Sequence, residues 1–242
     1  MKRLLSAKIA AIDRALGAEF AAHDAPIIEL IEAQTHDPFC VLVGTILSAR
    51  TKDGCTAAAV RRLFQTAAHG VFASADLRRL AEARIAKLIF PVGFYRDKAR
   101  HLKRLPEALE RLLAAASLRA GRRVAFAELG AFYDPDALVE ELCALPGVGR
   151  KTANLTVAVG FDLPAVCVDV HVHRISNRLG LVATKTPLET EMALRRVLPR
   201  RYWKTWNSHL VSFGQTHCAP VRPRCEGCPI ARHCPAQGRS GR

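Results

Sequence analysis

From Ile9 to the C-terminal cysteines, apolar residues recur three and four positions apart, and no stretch alternates apolar with polar between turn signals. That pattern argues against a sheet and leaves helices, each needing neighbours to cover its apolar stripe. MKRLLSAKIAAIDRALGAEF sets Ile9, Ile12, Leu16 and Phe20 on one helical face. DPFCVLVGTILSARTKDGCTAAAVRRLF predicts two amphipathic helices around a polar break at residues 48–54, with Asp37-Pro38 starting the first. Pro91-Val92-Gly93 marks a corner, and DPDALVEELCAL has a starting cap with Leu138, Leu142 and Leu145 aligned behind it. VCVDVHVH comes nearest to a strand but runs straight into the helix-like RISNRLGL. Residues 117–135 lack clean periodicity and read as a surface loop or a short extra helix. The fold class is therefore all-α. At 242 residues, half of them hydrophobic, the chain can bury the cores of one large or two small domains.

The net charge is +14, from 36 Lys and Arg against 22 Asp and Glu. Such a balance points to a polyanionic partner, nucleic acid first and an acidic membrane surface second. The longest apolar run, residues 157–172, is broken by Asp162, Pro164 and Asp169, so no membrane span is expected. The N-terminus begins with a basic pair but has no uncharged apolar core or cleavage signal, so a soluble, intracellular protein is expected. Of the eight cysteines, Cys40, Cys55, Cys143 and Cys167 are scattered and read as ordinary buried thiols.

The other four, Cys218, Cys225, Cys228 and Cys234, have the spacing C-x6-C-x2-C-x5-C. Four thiolates so close in sequence can converge on one soft metal centre. Zinc is the common choice and usually pairs two C-x2-C knuckles. One C-x2-C with a wider loop on each side suits a cubane iron–sulfur cluster better. Arg222, Arg224 and Arg232 lie inside these loops, where they could meet phosphates; a purely structural staple is compatible with that.

LPGVGRKTANL places a proline and two glycines between helix-like segments, then adjacent Arg150 and Lys151. It reads either as a turn with exposed charges or as a backbone that an anion can approach, with N–H groups opening a helix. Asp169, just ahead of the helix predicted from Val170 to Leu179, reads either as a cap or as a carboxylate acting with Lys151. An amine attacks only when neutral, and a helix-end dipole and exclusion of water both favour that form. A lysine and an aspartate beside a phosphate-binding turn are what attack on a sugar carbon of DNA requires.

LPGVGRKTAN, VDVHVHRISNRLGL, the four-cysteine spacing, ILSARTKD and VGFYRDKA together resemble the endonuclease III family of helix-hairpin-helix DNA glycosylases, in order and over nearly the whole chain. The resemblance implies two helical domains with a DNA-binding cleft between them. One is a six-helix barrel domain with the hairpin, residues 31–163, and the other is a cluster domain from residues 1–30 and 164–242. It implies Lys151 as the nucleophile toward the sugar of an extruded nucleotide, Asp169 as the catalytic carboxylate, and a Schiff base resolved by β-elimination. Leu145, Pro146, Gly147, Val148 and Gly149 would hold phosphates through the backbone, and Arg150 and His171 would contact DNA. Arg50 and Phe94 stand where the family inserts loops into the duplex, at positions more familiar as glutamine and leucine. A [4Fe–4S] cluster on Cys218, Cys225, Cys228 and Cys234 is implied, not directly catalytic. The implied partner is double-stranded DNA carrying oxidised or ring-fragmented pyrimidines or abasic sites, bound by a monomer. The alternatives are a mismatch adenine or thymine glycosylase without strand cleavage, whose members usually lack the lysine, and a non-catalytic hairpin module. An iron–sulfur electron carrier would explain the cysteines but neither the charge nor the hairpin.

Overall fold

The computed structural model describes residues 2–21 and 25–236. Helix α1 (Lys2–Ala21) opens the chain. Then come α2 (Ile27–Thr35), α3 (Pro38–Ser48), α4 (Asp53–Phe64), α5 (Ser74–Arg79), α6 (Glu82–Ile89) and α7 (Tyr95–Ala120). Helices α8 (Leu129–Phe132), α9 (Pro135–Cys143) and α10 (Arg150–Leu155) follow, the last running into a π-helical turn, Thr156–Gly160. The chain closes with α11 (Val170–Arg178), α12 (Pro187–Val197) and α13 (Trp203–Thr216). No strand occurs among the described residues, and VCVD is neither helix nor strand, leading straight into α11. None of the described helices is long and apolar enough to cross a membrane.

The chain divides into two compact units, Ile27–Leu163 and Met1–Pro26 with Pro164–Arg242. The junction falls at 26/27 rather than at 30/31, because α2 is one continuous helix whose Ile27, Ile28 and Ile31 are all buried in the same unit.

In the 27–163 unit, α3 is the central rod. PFCVLVGTILS contains no charge, and every residue from Pro38 to Leu47 is buried. A helix apolar on all sides must be surrounded, and α2, α4, α7, α10 and the π turn all pack on it. Asp37 starts the rod by accepting a hydrogen bond from the Phe39 amide at 2.8 Å, with Pro38 at the first helical position. Residues 117–120 complete α7, which stops at Gly121, and the remainder of 117–135 forms a short 3-10 turn and α8. Arg119 and Arg122 from this region lie over the rings of Tyr133 and Phe132.

In the other unit, Ile9, Ile12 and Leu16 of α1 are fully buried with Val172, Ile175, Trp206, Leu210 and Phe213. Phe20, the fourth position of that face, is half-buried and meets the His209 ring, while Asp13 lies 3.2 Å from His209 Nδ1. Lys8 donates to the Leu179 carbonyl at the end of α11. Among the scattered cysteines, Cys40 and Cys167 are buried, but Cys55 and Cys143 are only half-buried. Both half-buried thiols sit on helices whose inner face is filled by larger residues, Val60 and Leu63 on α4 and Leu138 and Leu142 on α9.

Truncating the rod at its centre, Leu42→Ala, should cost about 2–5 kcal/mol, against about 1 kcal/mol for the cap variant Asp37→Ala. Urea titrations of the two proteins check the order; equal costs would contradict a central, tightly packed α3.

Candidate active site and cysteine cavity

The hairpin begins where α9 ends. Asp134 caps α9 through the amides of Asp136 and Ala137, and Leu145 donates back to the Leu142 carbonyl as the helix closes. Gly147 then takes φ +77°, and a Cβ there would lie 2.8 Å from His101 Nδ1 on α7. Its neighbour Gly149 is glycine for a different reason: a Cβ would meet nothing within 4 Å. One glycine is required by the turn, and the other leaves open space beside the backbone that starts α10.

This narrows the expected anion contacts. Leu145 and Val148 are buried, and the Val148 amide is spent on the Leu145 carbonyl at 3.1 Å. Pro146 has no amide proton. Within the hairpin, Gly147 and Gly149 are left as the backbone donors able to meet a phosphate, while Leu145 and Val148 anchor it. Arg150 is half-buried and paired with Glu140 at 2.7 Å, and Lys151, next along, is exposed in the first turn of α10.

Arg50 and Phe94 occupy two neighbouring loops of the same unit. Both are exposed, and the Arg50 guanidinium sits 5.5 Å from the centroid of the Phe94 ring.

Asp169 caps α11, accepting from the amides of His171 and Val172 at 2.8 Å each. Both bonds go to Oδ1, so capping engages one carboxylate oxygen. The His171 ring is turned toward its own unit: Nδ1 lies 3.1 Å from Arg174 Nη2, and a Cβ at Gly214 on α13 would be 2.3 Å from that nitrogen. Arg174 also donates to the Cys218 carbonyl at 2.7 Å, and its burial beside Arg178 lowers its pKa while neighbouring Asp169 works the other way.

All four C-terminal cysteines line one part-open cavity, floored by Ile175, Leu179, Phe213 and Ile230. Burial raises the Cys228 thiol pKa, and Cys218, Cys234 and Cys225 push it in the same direction by mutual repulsion. Four thiolates held this way need a cationic centre, and the donor set suits a soft one. Among the described residues no group of three or more His, Cys, Asp or Glu is arranged to hold a metal ion as it stands, although the four cysteines share the lining of that cavity. Arg178 organises the first cysteine loop, donating to Cys218 Sγ at 3.3 Å and to the carbonyls of Ala219 and Pro220 at 2.8 Å. Arg222, Arg224 and Arg232 are exposed on the cysteine loops.

Arg174 and Arg178 were not singled out from the sequence. Their four-residue spacing, which puts both on one face of α11, was the available signal.

A model of the HhH-GPD superfamily of base excision DNA repair proteins matches residues 43–200. Endonuclease III of Thermotoga maritima is 43% identical over 206 residues, 85% of this chain and 86% of that protein. Endonuclease III homolog 1 of Arabidopsis thaliana is 38% identical over 84% of this chain, which spans 50% of that longer protein. A trapped endonuclease III–DNA covalent intermediate superposes with a TM-score of 0.75 and 29% identity, covering 99% of this chain and 98% of that one. With the hairpin, the capping aspartate and the cysteine cavity in place, this chain belongs to the endonuclease III family of the HhH-GPD base excision repair superfamily.

Proposed function

We propose that this chain removes oxidised pyrimidines from duplex DNA and cuts the strand at the same site, with Lys151 as nucleophile. The family makes it a base excision repair enzyme, a DNA glycosylase and AP lyase. The observation that carries the residue assignment is the exposed Lys151 in the turn opened by Gly147 and Gly149, where backbone donors for a flanking phosphate sit beside an amine.

In this reading the Lys151 amine attacks the anomeric carbon of an extruded nucleotide, a C–N bond forms, and the bond to the base breaks with the base as leaving group. Asp169 accepts the proton that the attacking amine gives up and stabilises the cation developing on the sugar. Ring opening gives a protonated Schiff base, loss of a C2′ proton follows, and the 3′ phosphate departs. The cysteine set fits an iron–sulfur cluster, held by Cys218, Cys225, Cys228 and Cys234. When bound, it would staple a segment in which Ile230 is the one large buried hydrophobe, and it enters none of the steps.

Lys151→Ala is expected to abolish strand nicking and borohydride-trapped adduct while keeping duplex affinity close to wild type. A trapped adduct in that variant would place the nucleophile elsewhere, and base release without nicking in the wild type would point to a monofunctional glycosylase. Asp169→Asn separates chemistry from capping, because asparagine caps a helix about as well as aspartate. Base removal should fall roughly a hundredfold with unfolding free energy nearly unchanged; unaltered base release would leave Asp169 a cap alone. The purified protein should be yellow-brown and contain iron and acid-labile sulfide in equal amounts, whereas a colourless protein containing zinc would overturn the cluster assignment.

A further inference from the structure

Within the 27–163 unit, four exposed residues that are not glycine adopt left-handed backbone, His36, Arg50, Phe94 and Asp162, and two of them, Arg50 at φ +54° and Phe94 at φ +56°, sit on neighbouring loops with their side chains together. Such conformations strain residues that carry a Cβ and persist only where the surroundings impose them. Phe94 is 60% exposed, so burial does not compensate the strain. The two side chains stack on each other instead, guanidinium over ring.

The surroundings that impose this arrangement centre on Lys98. Its backbone amide donates to the Phe94 carbonyl in the first turn of α7, at 3.0 Å. Its side chain reaches to the other loop, where Nζ donates to the Leu47 carbonyl at 2.8 Å, the Ala49 carbonyl at 2.6 Å and Thr51 Oγ1 at 3.3 Å. An ammonium has three N–H groups, and each has an acceptor here. Thr51 Oγ1 accepts in turn from the Gly93 amide at 3.1 Å, and a Cβ at Gly93 would lie 2.6 Å from the Arg50 carbonyl oxygen. The loops therefore touch backbone to backbone and are tied by one buried cation. Lys98 itself is 7% exposed, too deep to reach a ligand. Burial lowers its pKa to about 8, the mark of an ammonium held at a cost to the fold.

We propose that Lys98 is a positioning residue for strand insertion: it locks the Arg50 and Phe94 loops into one stacked wedge that enters the duplex beside the extruded nucleotide. This rests on the DNA-repair reading above. A wedge assembled before binding spares the cost of ordering two loops during strand opening. Lys98 therefore acts on the step that opens the duplex and not on the bond-breaking that follows.

The test uses the full chain, Lys98→Met to remove all three donors at similar length, and Thr51→Val to cut the tie to Gly93. Each is assayed on a duplex with one oxidised pyrimidine and on a single-stranded oligonucleotide with one abasic site, which needs Schiff-base chemistry but no strand opening. Base release from the duplex should fall roughly tenfold to a hundredfold in kcat/KM, with borohydride trapping on the single strand staying near wild type. Equal losses on both substrates, or none on the duplex, overturn the proposal. Should Lys98→Met not fold, the same two outcomes for Thr51→Val decide it. Wild-type protein inactive on both substrates would remove the repair reading and the role of Lys98 with it. Active wild type matched by its variants on the duplex removes the role of Lys98 alone.

Discussion

The direction in which α10 leaves the hairpin is set at Gly147, where positive φ and contact with the His101 ring leave no room for a side chain. A turn this crowded admits one backbone path. Leu145 and Val148 fall inward along that path as anchors, and Gly149 and Lys151 face outward. The chemistry assigned to Lys151 thus depends on a residue with no functional group, held by a histidine 46 positions earlier in the chain. The Arg150–Glu140 pair ties the start of α10 to α9 across the same turn.

The unit built from both ends of the chain solves a different problem. Among the described residues beyond α13 the backbone makes only short turns, with little apolar area of its own to offset the entropy of ordering it. Arg174 and Arg178, one turn apart on α11, satisfy three carbonyls and approach one sulfur of that segment. The same helix is capped by Asp169. A single short helix therefore presents the proposed catalytic carboxylate at one end and the support of the cysteine loop along its side. Metal–thiolate bonds would complete what two arginines begin.

The helices were legible because their signals are local. Asp37, Asp134 and Asp169 each precede a helix and each caps it through its side chain; apolar spacing located α1 and α9, whereas α3, expected to be amphipathic, is buried on every side because other helices surround it. Reading all of the scattered cysteines as buried failed at Cys55 and Cys143, since a thiol among apolar neighbours in sequence need not lie on the inward face. The hairpin was legible as an anion site but not in detail: which of its amides are spent internally depends on hydrogen bonds that the letters do not display.

The sequence by itself determined the class of fold, the helix caps and the four-cysteine set, because each rests on signals that are local in the chain. Tertiary structure alone decided that Arg174 and Arg178 hold the cysteine loop, 40 to 44 residues away, and that Lys98 bonds groups 47 to 51 positions earlier in the chain. Nothing local marks those partners. A buried cation acquires its role from carbonyls that folding brings to it, and until the chain closes, those groups are bonded to water.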